Sequence, residues 1–263
     1  MNKIQTKKII FKLAKEWRLK KVRPFLAMVD FLDKGTNKKL SFSNEFEFSV
    51  VEAERNIRSL HLNFWQSNLS VKKVQEIIVK REGAIISILK LLNRQLRCEF
   101  SLPLAKKIFR FNRQSGCWPI QFGLEYSGKS KPKIKIYLSI NGDYFHLKKF
   151  CDKFELNYEI LNKKFKNKKF DTIAIDFSPD NDYCFKFYPL VAINKGLLCR
   201  VDKESRVTSV KIWLRFPSGL FIDDERINKF IRLPALIHKI IKNNNFKIHY
   251  LCEENGKKSV YFR

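Results

Sequence analysis

Lys133-Ile134-Lys135-Ile136-Tyr137-Leu138-Ser139-Ile140 alternates without a break. In an extended chain successive side chains point to opposite faces. Lys133, Lys135, Tyr137 and Ser139 therefore share one face, and Ile134, Ile136, Leu138 and Ile140 share the other. The apolar face needs a core. The face with two lysines and a tyrosine needs solvent, a polar cavity or an anion. Ten residues before Lys135 stands Glu125, within Phe122-Gly123-Leu124-Glu125-Tyr126. The arrangement recurs: Asp176, in Ile173-Ala174-Ile175-Asp176-Phe177, precedes Lys186 by ten residues, and Tyr188 follows two later. His249, Ser259 and Tyr261 repeat the spacing, which places His249 at an inner position by analogy.

Outward from this stretch the chain reads as strand pairs separated by helices, a degenerate repeat of about fifty residues. Phe46, Phe48 and Val50 alternate with Glu47 and Ser49, and a return strand carries Leu60, Leu62 and Phe64. Further pairs fall at 120–126 with 132–140, 171–177 with 183–191, 197–202 with 207–216, and 246–252 with 258–263 around Asn255-Gly256. Helical periodicity marks 3–20, a short segment after Pro24, a long helix from Ser70 to about Leu96, a short one near 104–109, a basic one over 146–165, and one from Asp223 or Asp224 to Lys242 broken by Pro234. Only 25 residues separate Lys186 from Lys211, too few for a helix between the third and fourth pairs. The helix at 3–20 is basic and amphipathic; its apolar stripe suits a core, and its lysines suit an anionic surface.

Ten strands, each with one apolar and one polar face, allow two architectures. One is an open sheet with helices on one side. The other is an α/β barrel of ten antiparallel strands with helices outside and a wide, solvent-filled polar lumen. Ten strands favour curling or closure, which removes the edges. No linker divides the chain, so one domain over residues 1–263 is expected.

Composition bounds the function. Apolar residues make up 44% of the chain and Phe occurs 24 times, which excludes a disordered tail. No segment has the length and apolarity of a membrane span, and Met1 to Lys8 lacks the apolar core of a signal peptide, so no membrane partner is expected. Cys98, Cys117, Cys151, Cys184, Cys199 and Cys252 show no C-x-x-C spacing. Neither zinc nor a disulfide framework is indicated, and a reducing cytoplasm fits. The net charge of +27 points to an anionic partner, or to lysine use in an AT-rich genome. No Ser/His/Asp triad or glycine-rich phosphate loop appears.

The repeated two strands plus helix, with a Lys-x-Tyr-like second strand, resemble the ABBA (PT-barrel) prenyltransferases, and most closely the cyanobactin-type peptide prenyltransferases. The resemblance rests on Val50-Val51-Glu52, on Phe122 to Ile140, on Ile173 to Val191 and on Pro24-Phe25-Leu26. It implies a monomeric ABBA-fold enzyme transferring an isoprenyl group from a diphosphate such as dimethylallyl diphosphate to a peptide or small aromatic acceptor. It implies Mg²⁺ with the diphosphate, and Glu52 as general base.

That chemistry needs fixed cations for the leaving diphosphate. Lys133, Lys135, Lys186, Lys211 and Arg215 lie on successive second strands, with Arg58 a weaker candidate because it alternates with Leu60 and Leu62. Tyr137, Tyr188, Trp213 and Tyr261 alternate with them and can offer π-faces to an allyl cation. Glu125 and Asp176 are alternative bases, or partners of the inner lysines, and His249 is a secondary acceptor contact. The competing function is nucleic-acid binding by a basic aromatic sheet face. The carboxylates on that same face count against it.

Overall fold

The computed structural model describes residues 3–17, 23–31, 45–51, 57–63, 71–115, 118–125, 132–139, 147–165, 170–179, 182–192 and 195–262. The strands are β1 (Glu45–Val51), β2 (Ile57–Asn63), β3 (Trp118–Glu125), β4 (Lys133–Ser139), β5 (Phe170–Phe177), β6 (Tyr183–Ala192), β7 (Lys195–Val201), β8 (Val207–Leu220), β9 (Ile248–Glu254) and β10 (Lys257–Phe262). Each pairs antiparallel with its neighbours in the chain, and the sheet curls until β1 pairs with β10, Phe48 opposite Phe262. The ring is therefore closed, with every described strand bonded on both sides.

Alternation decides what lies outside the ring. Ile134 and Ile136 on β4, Ile173 and Ile175 on β5, Phe185 and Phe187 on β6, and Val260 and Phe262 on β10 are all buried in one apolar layer. Helices supply its other half. These are α1 (Lys3–Trp17), α2 (Arg23–Phe31), α3 (Val71–Leu96), α4 (Leu102–Ser115), α5 (Leu147–Phe154), α6 (Tyr158–Phe165), α7 (Glu225–Phe230) and α8 (Ala235–Asn243). Ile85, Ile88, Leu89 and Leu92 of α3 keep the helical spacing and are buried, as are Ile237, Ile240 and Ile241 of α8. Phenylalanines knit the layers: Phe150 of α5 meets Phe185 at 5.1 Å and Phe187 at 5.6 Å, ring centre to ring centre.

Helix boundaries follow local chemistry. The segment 146–165 forms two helices, because Glu155 adopts φ 59 and the chain turns there. Asn157 then caps α6, its Oδ1 accepting from the Ile160 N–H at 3.1 Å. Asp224 caps α7 by accepting from the Arg226 N–H at 3.0 Å. The helix near 104–109 is longer than its sequence suggests, at Leu102–Ser115.

No helix stands between β6 and β7, which are joined across residues 193–194 alone. The outer face of β8 is bare at Val210 and Ile212, while Leu214 and Phe216 pack on the core. Val210 is 39% and Ile212 44% exposed, whereas Phe185 and Phe187 are at 0%.

This contrast has a measurable consequence. Phe187→Ala empties a site filled against Phe165 and Phe170 at 5.1 and 5.8 Å, and is expected to lower unfolding free energy by about 3–5 kcal/mol. Ile212→Ala, on the bare face, is expected to change it by less than about 1 kcal/mol. Urea unfolding followed by circular dichroism measures both, and equal losses would contradict the layering.

Candidate functional site

The polar alternates point into the ring, and pairing register stacks them in two layers. In the first, Asp176 of β5 faces Lys135 of β4 and Cys184 of β6. Lys186 faces Arg200 of β7, Arg200 faces Ser209 of β8, and Lys211 faces Glu254 of β9. One step along the even-numbered strands lies the second layer, formed by Tyr137, Tyr188, Trp213 and Tyr261 with Tyr250 of β9. Tyr137 and Tyr188 have ring centres 6.2 Å apart, and Tyr250 and Tyr261 6.1 Å. Trp213 packs with Leu198 and Cys252 in an apolar cluster separate from the outer layer, and the three tyrosines 188, 250 and 261 border it. The indole lies flat against Gly196, where a Cβ would stand 2.4 Å from the ring, and its Nε1–H donates to the Leu197 carbonyl at 3.3 Å.

The cations are not free. Lys135 pairs with Glu125, and Lys186 with Asp176. Arg200 bridges two carboxylates, to Asp176 Oδ2 at 3.0 Å and to Glu254 Oε1 at 3.1 Å. The Ser209 hydroxyl donates to the same Glu254 oxygen at 2.6 Å. Lys211 donates to the Tyr261 hydroxyl at 3.2 Å and lies 5.2 Å from that ring's centre. Lys186 lies 6.0 Å from the centre of the Tyr137 ring. One atom is left over: Asp176 Oδ1 is buried without a hydrogen-bond partner.

Burial and pairing compete in the titrations. Burial alone would raise Asp176, but Lys186, Lys135 and Arg200 outweigh it and hold the carboxyl down at about 2. Glu254 is likewise raised by burial and brought to about 2 by Arg200, Ser209 and Lys211. Lys186 goes the other way. Burial, with Arg200 and Lys135 nearby, outweighs Asp176 and lowers its ammonium to about 7. Burial raises the Tyr137 and Tyr188 phenols well above their ordinary range, so both stay protonated.

Several sequence expectations are thereby located. Lys135, Lys186, Lys211, Tyr137, Tyr188, Trp213 and Tyr261 share the ring interior, and Glu125 and Asp176 pair with inner lysines. Lys133 stands opposite Glu125 at the end of its strand and is exposed, away from the buried cations. Arg215 sits beyond the aromatic layer, opposite Tyr250. Glu52 lies outside the described residues, as does the side chain of Arg58, whose backbone falls at a bulge between β1 and β2.

Two expectations need correction. His249 does not hold the strand position that the repeat assigns it, because it falls at a bulge in β9. Asn255 (φ 51) and Gly256 (φ 73) form a two-residue turn that pairs Glu254 with Lys257. That register aligns Tyr250, Cys252 and Glu254 with the ring interior, while both flanking pairings skip His249. Around the charged layer the solvent-filled lumen is narrower than expected, with Arg200 and Glu254 half-buried and the other charges nearly dry. Lys135, Lys186 and Asp176 are 2–3% exposed, because cation and carboxylate fill the space against each other.

Arg200 and Glu254 escaped the sequence reading, as did Glu47, which is buried and accepts from Gln121 at 3.3 Å. Alternation over Leu197 to Val201 marks Arg200, and the Asn-Gly turn marks Glu254. Among the described residues, no three His, Cys, Asp or Glu side chains gather to hold a metal. The described inner carboxylates that pair with cations do not fit a protein-held Mg²⁺.

The titrations set the sign of two pH effects. Asp176 and Glu254, depressed in the fold, stabilise it above the ordinary carboxylate range and lose that contribution as pH falls toward about 2. Lys186 is depressed as a base, so the unfolded chain binds its proton more tightly, and stability is expected to rise from pH 7 toward the ordinary lysine value of 10.5. Lys186→Met is expected to flatten that alkaline rise in Tm and to reduce the acid limb toward the share that Glu254 carries, since Lys186 helps hold Asp176 down. An unchanged alkaline limb in the variant would show that Lys186 is not its source.

Comparison with known folds completes the site. The chain aligns with the prenyltransferase PriB over 96% of its length and 93% of PriB, at a TM-score of 0.57. Identity is 10% to the apo form and 11% to the ternary complex of PriB with L-tryptophan and dimethylallyl thiolodiphosphate. A 6-dimethylallyl tryptophan synthase aligns over 83% of this chain and 80% of its own, at 10% identity and a TM-score of 0.49. No family model matches the sequence, and no curated protein matches it. The chain has the fold of PriB, in keeping with its sequence resemblance to the ABBA prenyltransferases.

Proposed function

We propose that the chain is a prenyltransferase that moves a dimethylallyl or longer isoprenyl group from its diphosphate to a peptide or small aromatic acceptor. One observation carries the reading: within a ring of the PriB fold, buried cations lie one step from a layer of aromatic rings. Ionising an allylic diphosphate separates a multiply charged anion from a carbocation. A site that meets both ends needs cations on one side and π-faces on the other.

The roles follow from the layers. Lys135, Lys186, Arg200 and Lys211 receive the diphosphate, which exchanges places with Glu125, Asp176 and Glu254 as their counter-ion. These are the cations assigned to the diphosphate; no step is assigned to Mg²⁺. Tyr137, Tyr188, Trp213, Tyr250 and Tyr261 shield the allyl cation. Their phenols serve best when protonated, because a phenolate would capture the cation, and burial keeps Tyr137 and Tyr188 in that form. Asp176, held at about 2 while Lys186, Lys135 and Arg200 pair with it, is too weak a base to take a proton in the donor-free fold. Its unpartnered Oδ1 instead suits a hydrogen bond from an acceptor N–H or O–H. Proton removal falls to Glu52, by the family resemblance.

The PriB complex with L-tryptophan and a dimethylallyl analogue supports an aromatic acceptor; the sequence resemblance to peptide prenyltransferases supports a peptide one. A monomer is what the family resemblance implies. The nucleic-acid reading needed an open basic sheet face, and ring closure turns those lysines inward.

Incubation with dimethylallyl diphosphate and a mixture of tryptophan and aromatic peptides is expected to give a dimethylallyl mass gain on the acceptor. Lys135→Ala/Lys186→Ala is expected to lower kcat/KM by about 100-fold or more. Unchanged turnover in that variant would sink the diphosphate assignment. Donor binding should also charge Lys186, so calorimetry at about pH 8 in buffers of different ionisation enthalpy is expected to show proton uptake that Lys186→Met abolishes. Tight, steeply salt-dependent RNA binding without isoprenoid turnover would favour the other reading.

A further inference from the structure

Helix α1 buries one stripe and exposes another. Thr6, Ile9 and Ile10 are buried, the two isoleucines in the outer apolar layer with Phe25, Met28 and Val29 of α2. Lys7 pairs with Asp30 of α2, which fixes the helix by its inner edge. The outward stripe is Ile4, Gln5, Lys8, Phe11 and Lys12, all exposed. At 3.6 residues per turn these five span roughly 120° of the helix surface. Ile4 is 66% and Phe11 56% exposed, and they stand two turns apart with Lys8 between them.

Scattered exposed apolar residues are ordinary. This pair is set differently, on one helical face whose described charges are both positive, in a chain of net charge +27. Two apolar side chains among lysines suit the boundary between lipid headgroups and acyl chains. There the lysine stems reach toward phosphate while the ring and the branched side chain enter the hydrocarbon edge. A nucleic-acid backbone would satisfy the lysines and leave Ile4 and Phe11 wet. We infer that the outward face of α1 docks on an anionic lipid bilayer, lying in its surface without crossing it. This goes beyond the absence of a membrane span, since no described helix is long and apolar enough to cross one. It stands apart from the proposed chemistry, because none of these residues faces the ring interior.

The test is co-sedimentation of the full chain with vesicles of phosphatidylcholine alone, or of phosphatidylcholine with phosphatidylglycerol. The chain is expected to pellet with the anionic vesicles, and much less at high salt or with neutral ones. Ile4→Ser/Phe11→Ser and Lys8→Glu/Lys12→Glu are each expected to weaken binding by about tenfold or more, with the thermal melt unchanged. Four results would overturn the inference: no binding to anionic vesicles, equal binding to neutral ones, binding untouched by either double variant, or a dimer that Phe11→Ser dissociates. RNA binding that only the lysine variant loses, without vesicle capture, would reassign the face to polyanions. An active enzyme that ignores vesicles leaves the proposed function intact and removes this inference alone.

Discussion

Closing an antiparallel sheet on itself sends every second side chain toward the axis. In this chain those side chains include lysines, an arginine and carboxylates; Lys135, Lys186, Lys211 and Asp176 are buried there, and Arg200 and Glu254 are half-buried. An isolated buried charge is strongly unfavourable, so each must find an opposite one. Arg200 is the hinge of that solution. It joins Asp176 to Glu254 across three strands, and Asp176 in turn holds Lys186. The outer helices, the phenylalanine layer and the ring closure all serve to hold this charged centre dry.

The same constraint shapes the chemistry the interior can support. Paired charges are pre-positioned without being consumed by solvent, and a more highly charged anion can take over a carboxylate's partners. Lys186 shows the balance most clearly: burial nearly strips its proton, and Asp176 nearly keeps it. The aromatic layer beside it is apolar enough to form its own small cluster around Trp213. A polar layer and an apolar layer therefore meet inside one ring.

Much of this was legible from alternation alone. Lys135 and Tyr137, Lys186 and Tyr188, Lys211 and Trp213 were placed together because a strand has period two, and the missing helix between β6 and β7 followed from spacing. What escaped has physical reasons. His249 misses the repeat's position because equal spacing in sequence is not equal register; the Asn-Gly turn sets a different pairing, and β9 bulges at His249. Arg200 and Glu254 lack the ten-then-two spacing that marks the other inner residues, and Glu254 lies past the strand predicted over 246–252. The break in 146–165 depends on Glu155 taking a left-handed conformation that its side chain does not announce. The width of the interior is a property of closure and pairing that no single strand encodes.

Ring closure also has a kinetic side. From β3 to β10 each strand pairs with its successor, contacts that form between near neighbours in the chain. The seam between β1 and β10 joins Phe48 to Phe262, across nearly the whole described sequence. Contacts of such long range are slow to form, because loop-closure entropy must be overcome before they reward the chain. On that ground the seam is expected to shut last. Until it does shut, the charged interior is an open trough, and its salt bridges have water for company. The dry centre is in this sense a late product of folding, made by the one pairing that local sequence does least to favour.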